Sequence, residues 1–585
     1  MYGFIEARRL ILHPASKKQE TEVLDCDVII VGGGPVGLFL AAELGQRGVS
    51  VELFDAKDGT SRHPAANANS ARTMEHFRRI GIASRVRSLG LPADYAPDIA
   101  YFTSIAGHEL ARLPQPTSRE AVEWARGHAF TWPTPEPPHR CSQLYVEPVL
   151  LEAARSHAAC RVHFSSRVVG FEQHEDGVLA TVELDAVEGR EAATRTVSAR
   201  YLIGCDGPRS FVRKSLGIRF EGMAGERREF MGGQMDAVYF HAPALYRASR
   251  RPPAWQYWTF GPRQRALVIA VDGAGDFIMN VQLRDGEAAD AQDVRARIAE
   301  AIGAEVPFEL KSRSTWTAGF ALVAERFSER RIFLAGDAAH LFTPTGGLGY
   351  NTGIDDAANL AWKLEAMVKG LAGEALGASY EAERRPAALR NTAFARGFAD
   401  GIGHVSLPAA AYEASAAGEA ARAAIGEYLA FHARAEFVIP GVHLGTRYEA
   451  SPLVEAEPGA APPDAANLYL PSARAGHRAP HVWLADGASL YDRLGPGFTL
   501  LCTGAEGAAF DPQAVQRAAR ALPQLAVLRL DDETELAQAY QARYVLIRPD
   551  QHVAWRGRAL DGGFEAAAWR SVGHARRQEA AHAMQ

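Results

Sequence analysis

The pattern of apolar and polar positions predicts a buried strand, a tight turn and a helix early in the chain. The run from Val28 to Val31 is apolar and β-branched, as in a parallel strand that is buried on both faces. Three glycines follow at the spacing G-x-G-x-x-G, namely Gly32, Gly34 and Gly37. Such glycines permit a sharp turn, let backbone N–H groups approach a pyrophosphate and let the helix pack closely on the strand.

A second predicted strand, residues 49–54, ends in Asp55. An acid at this distance from the glycine turn accepts hydrogen bonds from ribose hydroxyls. The combination of strand, helix, second strand and terminal acid favours a dinucleotide site. The alternative is a structural βα turn that binds nothing.

Two later stretches again place an acid and a glycine at the end of a buried strand. Residues 199–204 precede Asp206 and Gly207, and residues 331–335 precede Gly336 and Asp337. A glycine-rich loop at 343–353 follows the second stretch and leads into a helix, so its N–H groups can face an anion or an electron-rich ring. For the first stretch an ordinary β-turn is the alternative.

Between these stretches, residues 219–317 alternate aromatic and polar side chains, which predicts a separate antiparallel sheet. Its aromatic residues form either a pocket wall or ordinary core. The polar loop at 57–69 is expected beside the nucleotide, where Asn67 faces a ligand or the surface. Arg72 reaches either a phosphate or a surface ion pair.

Composition narrows the functional classes. A length of 585 residues allows two to four domains, and a net charge of −6 without a dense Lys/Arg block argues against nucleic-acid binding. The five cysteines are scattered singly, which indicates a reducing, cytoplasmic setting and no metal site. No apolar run is long enough for a membrane span. The first residues form a loose tail or an arm docked at a subunit contact.

With its three motifs in this order, the sequence resembles the single-component FAD-dependent aromatic hydroxylases, the group of p-hydroxybenzoate hydroxylase. Within it, the phenol 2-monooxygenase and dichlorophenol hydroxylase branch is the most similar. The resemblance covers residues 25–400 and continues to the C-terminus, where residues 544–555 look like that branch's thioredoxin-like tail domain. The tail lacks a redox cysteine pair, so it is expected to be structural or to support a homodimer.

The resemblance implies an α/β fold in which a Rossmann-like FAD-binding domain is interleaved with an antiparallel β-sheet substrate domain. A C-terminal thioredoxin-like α/β domain follows. The expected boundaries are a tail at 1–24, an FAD-binding domain at 25–218 and 320–410, a substrate domain at 219–319, a helical segment and linker at 411–478, and the C-terminal domain at 479–585.

It also implies residues that hold FAD. The expected contacts of the ADP half are Gly32, Gly34, Pro35, Val36, Gly37, Asp55 and Ala56. Those along the rest of the cofactor are Gln143, Asp206, Gly207, Asp337, Pro344, Gly347, Leu348, Gly349, Tyr350 and Asn351. The family often carries arginines where this chain has Ala56 and Ala65, so Arg62 or Arg72 is expected to replace them.

The chemistry that the resemblance implies is hydroxylation of a phenolic ring, ortho to an existing hydroxyl. NAD(P)H reduces FAD, the reduced flavin takes up O2 as a hydroperoxide, and one oxygen atom passes to the ring. Candidates for contact with the substrate are Asn67, Asp236, Tyr239 and Tyr257, whereas His340 is expected to be structural. The alternatives are an FAD monooxygenase acting on a polyketide or antibiotic-like polycyclic substrate, and a flavin-binding protein without enzymatic activity.

Overall fold

The computed structural model describes residues 10–11, 24–127, 132–186, 191–224, 228, 230–503, 510–522, 524–530 and 533–574. The strands before residue 219 are β1 (Leu10–Ile11), β2 (Cys26–Val31), β3 (Val51–Phe54), β4 (Ile99–Phe102), β5 (Glu109–Leu113), β6 (Cys160–His163), β7 (Ser166–Gln173), β8 (Val178–Leu184) and β9 (Ala193–Gly204). The helices of this part are α1 (Pro35–Gln46), α2 (Ala71–Arg79), α3 (Ala83–Arg87), α4 (Ser118–Arg126), α5 (Gln143–Arg155) and α6 (Phe211–Ser215).

The middle of the chain contains more strands than helices. Its strands are β10 (Phe220–Met223), β11 (Gln234–His241), β12 (Gln256–Phe260), β13 (Arg265–Ala270), β14 (Asp276–Gln282), β15 (Glu309–Thr317), β16 (Ala321–Ala324), β17 (Ser328–Glu329), β18 (Ile332–Leu334) and β19 (His340–Leu341). Its helices are α7 (Ala244–Ser249) and α8 (Val294–Ile302), and a 3₁₀ turn covers Gly336–Ala338.

Long helices precede the C-terminal domain. They are α9 (Leu348–Val368), α10 (Ala375–Gly403), α11 (Ala416–Phe437) and the short α12 (Pro440–Leu444), with a 3₁₀ turn at Ala409–Tyr412. The last part contains α13 (Leu490–Arg493), β20 (Thr499–Cys502), α14 (Pro512–Ala518), β21 (Ala526–Arg529), α15 (Thr534–Tyr540), β22 (Tyr544–Ile547), β23 (Val553–Gly557) and α16 (Gly562–Ser571). Among the described residues no helix combines the length and apolarity that a membrane crossing requires.

A parallel sheet with the order β18-β9-β2-β3-β6 forms the first layer. Its central strands are apolar on both faces because helices cover both sides, and α1 packs against both α5 and α9. The α/β class with a Rossmann-like first domain is therefore confirmed.

The second sheet has the order β15-β11-β14-β13-β12-β4-β5 and is antiparallel except between β12 and β4. The sequence assigned residues 99–113 to the FAD-binding domain, and that assignment is wrong for β4 and β5. Because side chains alternate along a strand, the sheet has an outer face covered by α7 and α8 and an inner face directed at the first domain. Tyr246 of α7 packs on Phe277 of the outer face, and His63 of the first domain reaches Ser312 and Ser314 of the inner face.

The C-terminal sheet has the order β1-β21-β20-β22-β23, with β22 antiparallel to both of its neighbours. The order β20-α14-β21-α15-β22-β23-α16 is the thioredoxin-like arrangement expected from the sequence. Leu10–Ile11 pairs with Ala526 and Val527, so this part of the N-terminal segment is an edge strand and not a loose tail. Residues 1–9 and 12–23 lie outside the described residues.

Candidate functional site

The predicted nucleotide motifs meet at one edge of the parallel sheet. In the register of the sheet, Val31 pairs with Phe54 and with Gly204, and Gly204 pairs with Leu334. Four neighbouring strands therefore end at one level. Gly32 and Asp55 come directly after these positions, and Asp206 and Asp337 follow within three residues, so motifs that are far apart in sequence form one site.

The three glycines of the turn have different structural roles. A Cβ on Gly32, whose φ is +109°, would lie 2.3 Å from the carbonyl oxygen of Cys205, and a Cβ on Gly37 would lie 2.0 Å from the carbonyl oxygen of Gly32. Both positions require glycine because backbone approaches backbone. A Cβ on Gly34 would meet no protein atom within 4 Å. The middle glycine thus faces open space in front of the helix.

Helix α1 begins at Pro35 without a side-chain cap and without an acid in its first turn. Its first N–H groups are therefore available to an anion at the positive end of the helix dipole. Val36 links this turn to the third motif, because a Cβ on Gly336 would lie 3.0 Å from Cγ2 of Val36. The geometry suits a pyrophosphate between the turn and Asp337.

The acids at the strand ends have different partners. Oδ2 of Asp55 accepts a hydrogen bond from the backbone N–H of Gly33 (2.6 Å), and Ala56 follows it at the strand end. Oδ2 of Asp206 accepts from the N–H of Val212 (3.0 Å), whereas its buried Oδ1 accepts from no described residue. A buried oxygen without a donor indicates room for a hydroxyl donor from a ligand.

Asp337 lies in the 3₁₀ turn. Its side chain is open to solvent at the surface of a concave site, with protein atoms around it. Burial raises the pKa of its carboxyl group. His340 is fully buried and pairs with Asp356 through Nε2 (2.6 Å). Asp356 also accepts from the N–H of Gly336 (3.2 Å), so His340 belongs to the support beneath the 3₁₀ turn, as expected.

The glycine-rich loop turns sharply where it enters α9. Gly347 has a φ of +65°, and a Cβ there would lie 3.1 Å from Cβ of Ala68. Leu348 packs in an apolar cluster with Phe398, and Pro344 is exposed. A Cβ on Gly349 would lie 3.5 Å from Phe342. The groups of this loop that are available to an aromatic ring are therefore backbone groups and not side chains.

Asn351 fixes the loop instead of pointing at a ligand. Its Oδ1 accepts from the N–H of Ser70 (2.8 Å) and from the hydroxyl of Thr73 (2.6 Å). Its Nδ2 donates to the carbonyl oxygen of Ala68 (2.9 Å), and Tyr350 donates to Oδ1 of Asn69 (3.2 Å). The Asn351 side chain thus clamps residues 68–70, and the predicted position of Asn351 at the isoalloxazine edge stays a prediction.

Two further predicted residues lie around the same loop. The N–H of Gln143 donates to the carbonyl oxygen of Ala66 (2.6 Å), next to Asn67. Tyr239 is on the inner face of the second sheet, with its ring edge toward His63, and its hydroxyl donates to Asp276 (2.7 Å). Gln143, Asn67 and Tyr239 are therefore gathered where the two domains meet.

Three predicted residues do not reach this site. Asp236 lies on the outer face, where Arg313 holds both of its carboxylate oxygens (2.7 and 2.8 Å). Tyr257 is on the same outer face and accepts a hydrogen bond from the N–H of Ala254 (2.8 Å). Arg72 is buried against Glu75 (2.7 Å) and against the C-terminal domain. These placements contradict a role in substrate or phosphate contact.

Sequence reasoning missed Glu436, whose Oε1 accepts a hydrogen bond from the N–H of Gly346 (2.9 Å) in the glycine-rich loop. It also missed an aromatic cavity of about 240 Å³. Trp124, Trp132, Tyr95 and Phe437 line the cavity. Neither feature has a local sequence signal, because the contributing residues come from five separate stretches.

The acids at the sheet edge, including the unpaired Asp206 oxygen, and the uncapped helix fit the hydroxyl groups and the pyrophosphate of FAD. The fold and the site thus define a flavoprotein with a separate substrate sheet. Residues 25–395 match the family model described as FAD binding domain, and residues 472–575 match that of the aromatic-ring hydroxylase C-terminal domain. The chain belongs to the FAD-dependent aromatic-ring hydroxylase family and is a flavoprotein monooxygenase.

Phenol hydroxylases and polyketide hydroxylases are both similar to this chain over nearly its whole length. The 2,4-dichlorophenol 6-monooxygenase of Cupriavidus pinatubonensis is 29% identical over 92% of this chain and 94% of its own. A putative polyketide hydroxylase of Streptomyces halstedii is 31% identical over 90% of this chain and 93% of its own. A solved structure of RebC, soaked with chromopyrrolic acid and with bound 7-carboxy-K252c, has a TM-score of 0.83 and 36% identity, covering 94% of this chain and 99% of its own.

Proposed function

We propose that this protein hydroxylates a phenolic aromatic ring, ortho to an existing hydroxyl group, with NAD(P)H as reductant and O2 as oxygen source. The observation that carries the proposal is an aromatic cavity whose lining residue Phe437 follows Glu436, the residue that accepts a hydrogen bond from Gly346 of the glycine-rich loop. Bound FAD supplies hydride acceptance from NAD(P)H and transfer of one oxygen atom of O2. The similarity to a dichlorophenol monooxygenase supports a phenolic substrate.

The protein's own residues supply binding and positioning in this proposal. The N–H groups after Gly34 hold the pyrophosphate, and Asp55 and Asp206 accept hydrogen bonds from cofactor hydroxyls. Asp337 and the backbone from Gly347 to Tyr350 hold the connecting chain and the ring. The aromatic walls of the cavity enclose the reacting ring, which keeps water away from the oxygen-transfer step.

Asn67 and Tyr239 remain predictions for direct contact with the substrate, although neither of them lines the aromatic cavity. Burial raises the pKa of the Tyr239 hydroxyl, and its proton is donated to Asp276. Tyr239 therefore stays a neutral phenol near pH 7. It would act as an orienting hydrogen-bonding group and not as the base that deprotonates a substrate phenol.

A polycyclic substrate, as in polyketide or antibiotic-like ring systems, is the second candidate. The cavity of about 240 Å³ supports it, since an apolar cavity of ~150 Å³ already holds a single benzene ring. The similarity to a putative polyketide hydroxylase points in the same direction. The choice between these two candidates therefore depends on turnover.

The deciding experiment measures NAD(P)H oxidation with a panel of simple and polycyclic phenols and identifies products formed under labelled O2. Faster oxidation with a simple phenol and a labelled ortho-diol supports the first candidate. Activity with polycyclic phenols alone supports the second. If no aromatic compound accelerates NAD(P)H oxidation by the yellow protein, both are wrong. The preference for NADPH or NADH, a homodimer and a cytoplasmic location remain predictions from the sequence.

A further inference from the structure

Arg140 is a cation without an anionic partner at the wall of the aromatic cavity. Three buried arginines, Arg72, Arg384 and Arg548, each reach a carboxylate at 2.7–2.8 Å. Among the described residues, none accepts a hydrogen bond from the guanidinium of Arg140 and no carboxylate pairs with it. Arg140 is half-buried, so its unpaired guanidinium can be reached by an anion that arrives from outside the chain.

The local packing keeps Arg140 ready for that partner. Its guanidinium carbon lies 4.0 Å from the centroid of the Trp255 ring, a cation–π contact that uses the flat face of the group. The N–H donors at the edge of the guanidinium remain free, in the fork geometry that matches a carboxylate. Burial lowers the pKa of Arg140 to about 10, which leaves it charged near pH 7.

The other cavity walls are aromatic, aliphatic or uncharged. Of the described residues that line the cavity, Arg140 is the one with a permanent charge. Its neighbour His139 is neutral near pH 7, because burial lowers the pKa of that imidazole to about 4. The cavity therefore combines an apolar body with one cationic end, which suits an aromatic anion.

Two walls of the cavity are connected to the glycine-rich loop, where the flavin ring is proposed to bind. His139, next to Arg140, forms an isolated β-bridge with Asn69, whose N–H donates to the carbonyl oxygen of His139 (2.9 Å), and Tyr350 donates to Asn69. On the other side, Phe437 follows Glu436, which holds the N–H of Gly346. Both walls are thus tied by hydrogen bonds to the glycine-rich loop.

We infer that Arg140 is the residue that selects the substrate, by binding an anionic oxygen substituent, carboxylate or phenolate, of the aromatic ring system in this cavity. The inference rests on the proposed function and deepens it. It predicts that charged aromatic ligands bind more tightly than neutral ligands of the same shape. Selection arises because only an anionic ligand gains a charge-assisted hydrogen bond from the guanidinium.

The test is calorimetric binding of naphthoate, its methyl ester and naphthol to the FAD-loaded protein near pH 7. In R140Q we expect naphthoate to bind roughly 10- to 100-fold more weakly, with the ester nearly unchanged, because only a charge-assisted hydrogen bond is lost. R140K should retain part of the preference. R155Q is the matched control, since Arg155 also lies over an aromatic ring, Phe164, but is exposed and away from the cavity.

The outcomes separate the sources and the proposals. If naphthol, and not naphthoate, loses affinity in R140Q and releases a proton on binding to the wild type, the anion is a phenolate. The inference is wrong if R140Q weakens the binding of naphthoate and of the ester equally, or if it weakens the binding of neither anion. It is also wrong if neither anion binds to the wild type. If the inference fails but R140Q hydroxylates a neutral phenol at the wild-type rate, the proposed function still holds. If anions bind in an Arg140-dependent way but no ligand is hydroxylated, the inference about Arg140 stands and the proposed function is wrong.

Discussion

Arg548 and Glu383 form a bidentate ion pair across the boundary between the C-terminal domain and the FAD-binding domain. The two N–H···O distances are 2.7 and 2.9 Å, and both side chains are fully shielded from solvent. Lys363 and Ser451 also contact the Glu383 carboxylate (2.8 and 2.6 Å). The C-terminal domain is therefore attached through buried charges. Removing one of the two partners leaves the other charge buried and unpaired.

The first prediction concerns this pair. R548M should lower the free energy of unfolding by about 3–5 kcal/mol, because Glu383 is left buried with its main partner missing. Urea unfolding followed by tryptophan fluorescence measures this. The control is R570M, whose partner Glu455 is exposed, so its loss should stay within about 1 kcal/mol. Equal losses in the two variants would show that the buried pair does not hold the domains together.

The second prediction concerns acid stability through Glu75. Burial alone would raise the pKa of Glu75, but the charges of Arg478 and Arg72 outweigh it and lower that pKa from 4.5 to about 2. The unfolded chain then binds more protons than the folded chain in this window. The contribution of Glu75 is complete above pH 4.5 and is lost as the pH falls toward about 2, in total ~3 kcal/mol.

A comparison with E75Q isolates that contribution from other acids. The wild type should exceed E75Q in unfolding free energy at pH 7, and the gap should narrow between about pH 5 and pH 3. Urea midpoints at several pH values measure the gap. A gap that stays constant over this range would mean that the Glu75 charge is not the source of the difference.

The strand-end motifs were predictable because each is a contiguous strand, turn and helix. Asp55, Asp206 and Asp337 needed only the rule that parallel strands end at one edge. The errors concern faces and partners. Asp236 and Tyr239 are three positions apart on one strand, so alternation already places them on opposite faces, a signal that the sequence contained.

The partner of Arg72 and the setting of Arg140 could not be predicted in the same way. Arg72 meets Gln551 (2.8 Å), a residue of another domain, and nothing local to either residue indicates this contact. Similarly, the Ala/Pro/Gly-rich stretch before residue 479 has the composition of a linker. In the structure its Ser451 packs into the buried Glu383 network. Long-range packing decides such positions.

The third prediction separates the two kinds of glycine in the turn. G34A should keep the stability of the apoprotein and weaken FAD binding, because its methyl group meets no protein atom but projects into the space in front of α1. G37A should reduce both, since its Cβ would lie 2.0 Å from a backbone oxygen. Thermal unfolding of apoprotein and fluorimetric FAD titration of both variants measure these effects. Tight FAD binding by G34A would place the pyrophosphate elsewhere.

The fourth prediction concerns Asp337, which lies beside Val36 and the glycine-rich loop without a described hydrogen-bond partner of its own. D337A should purify largely colourless, with FAD affinity lowered by roughly 10- to 100-fold, because a charged acceptor for cofactor hydroxyls is lost. D337N should retain more flavin, since its amide oxygen still accepts a hydrogen bond. The exposed carboxylate of Asp58, paired with Arg62, supplies the control variant D58A. The ratio of bound flavin to protein, measured from the visible spectrum, tests this prediction. Full retention of FAD by D337A would show that Asp337 is not part of the cofactor site.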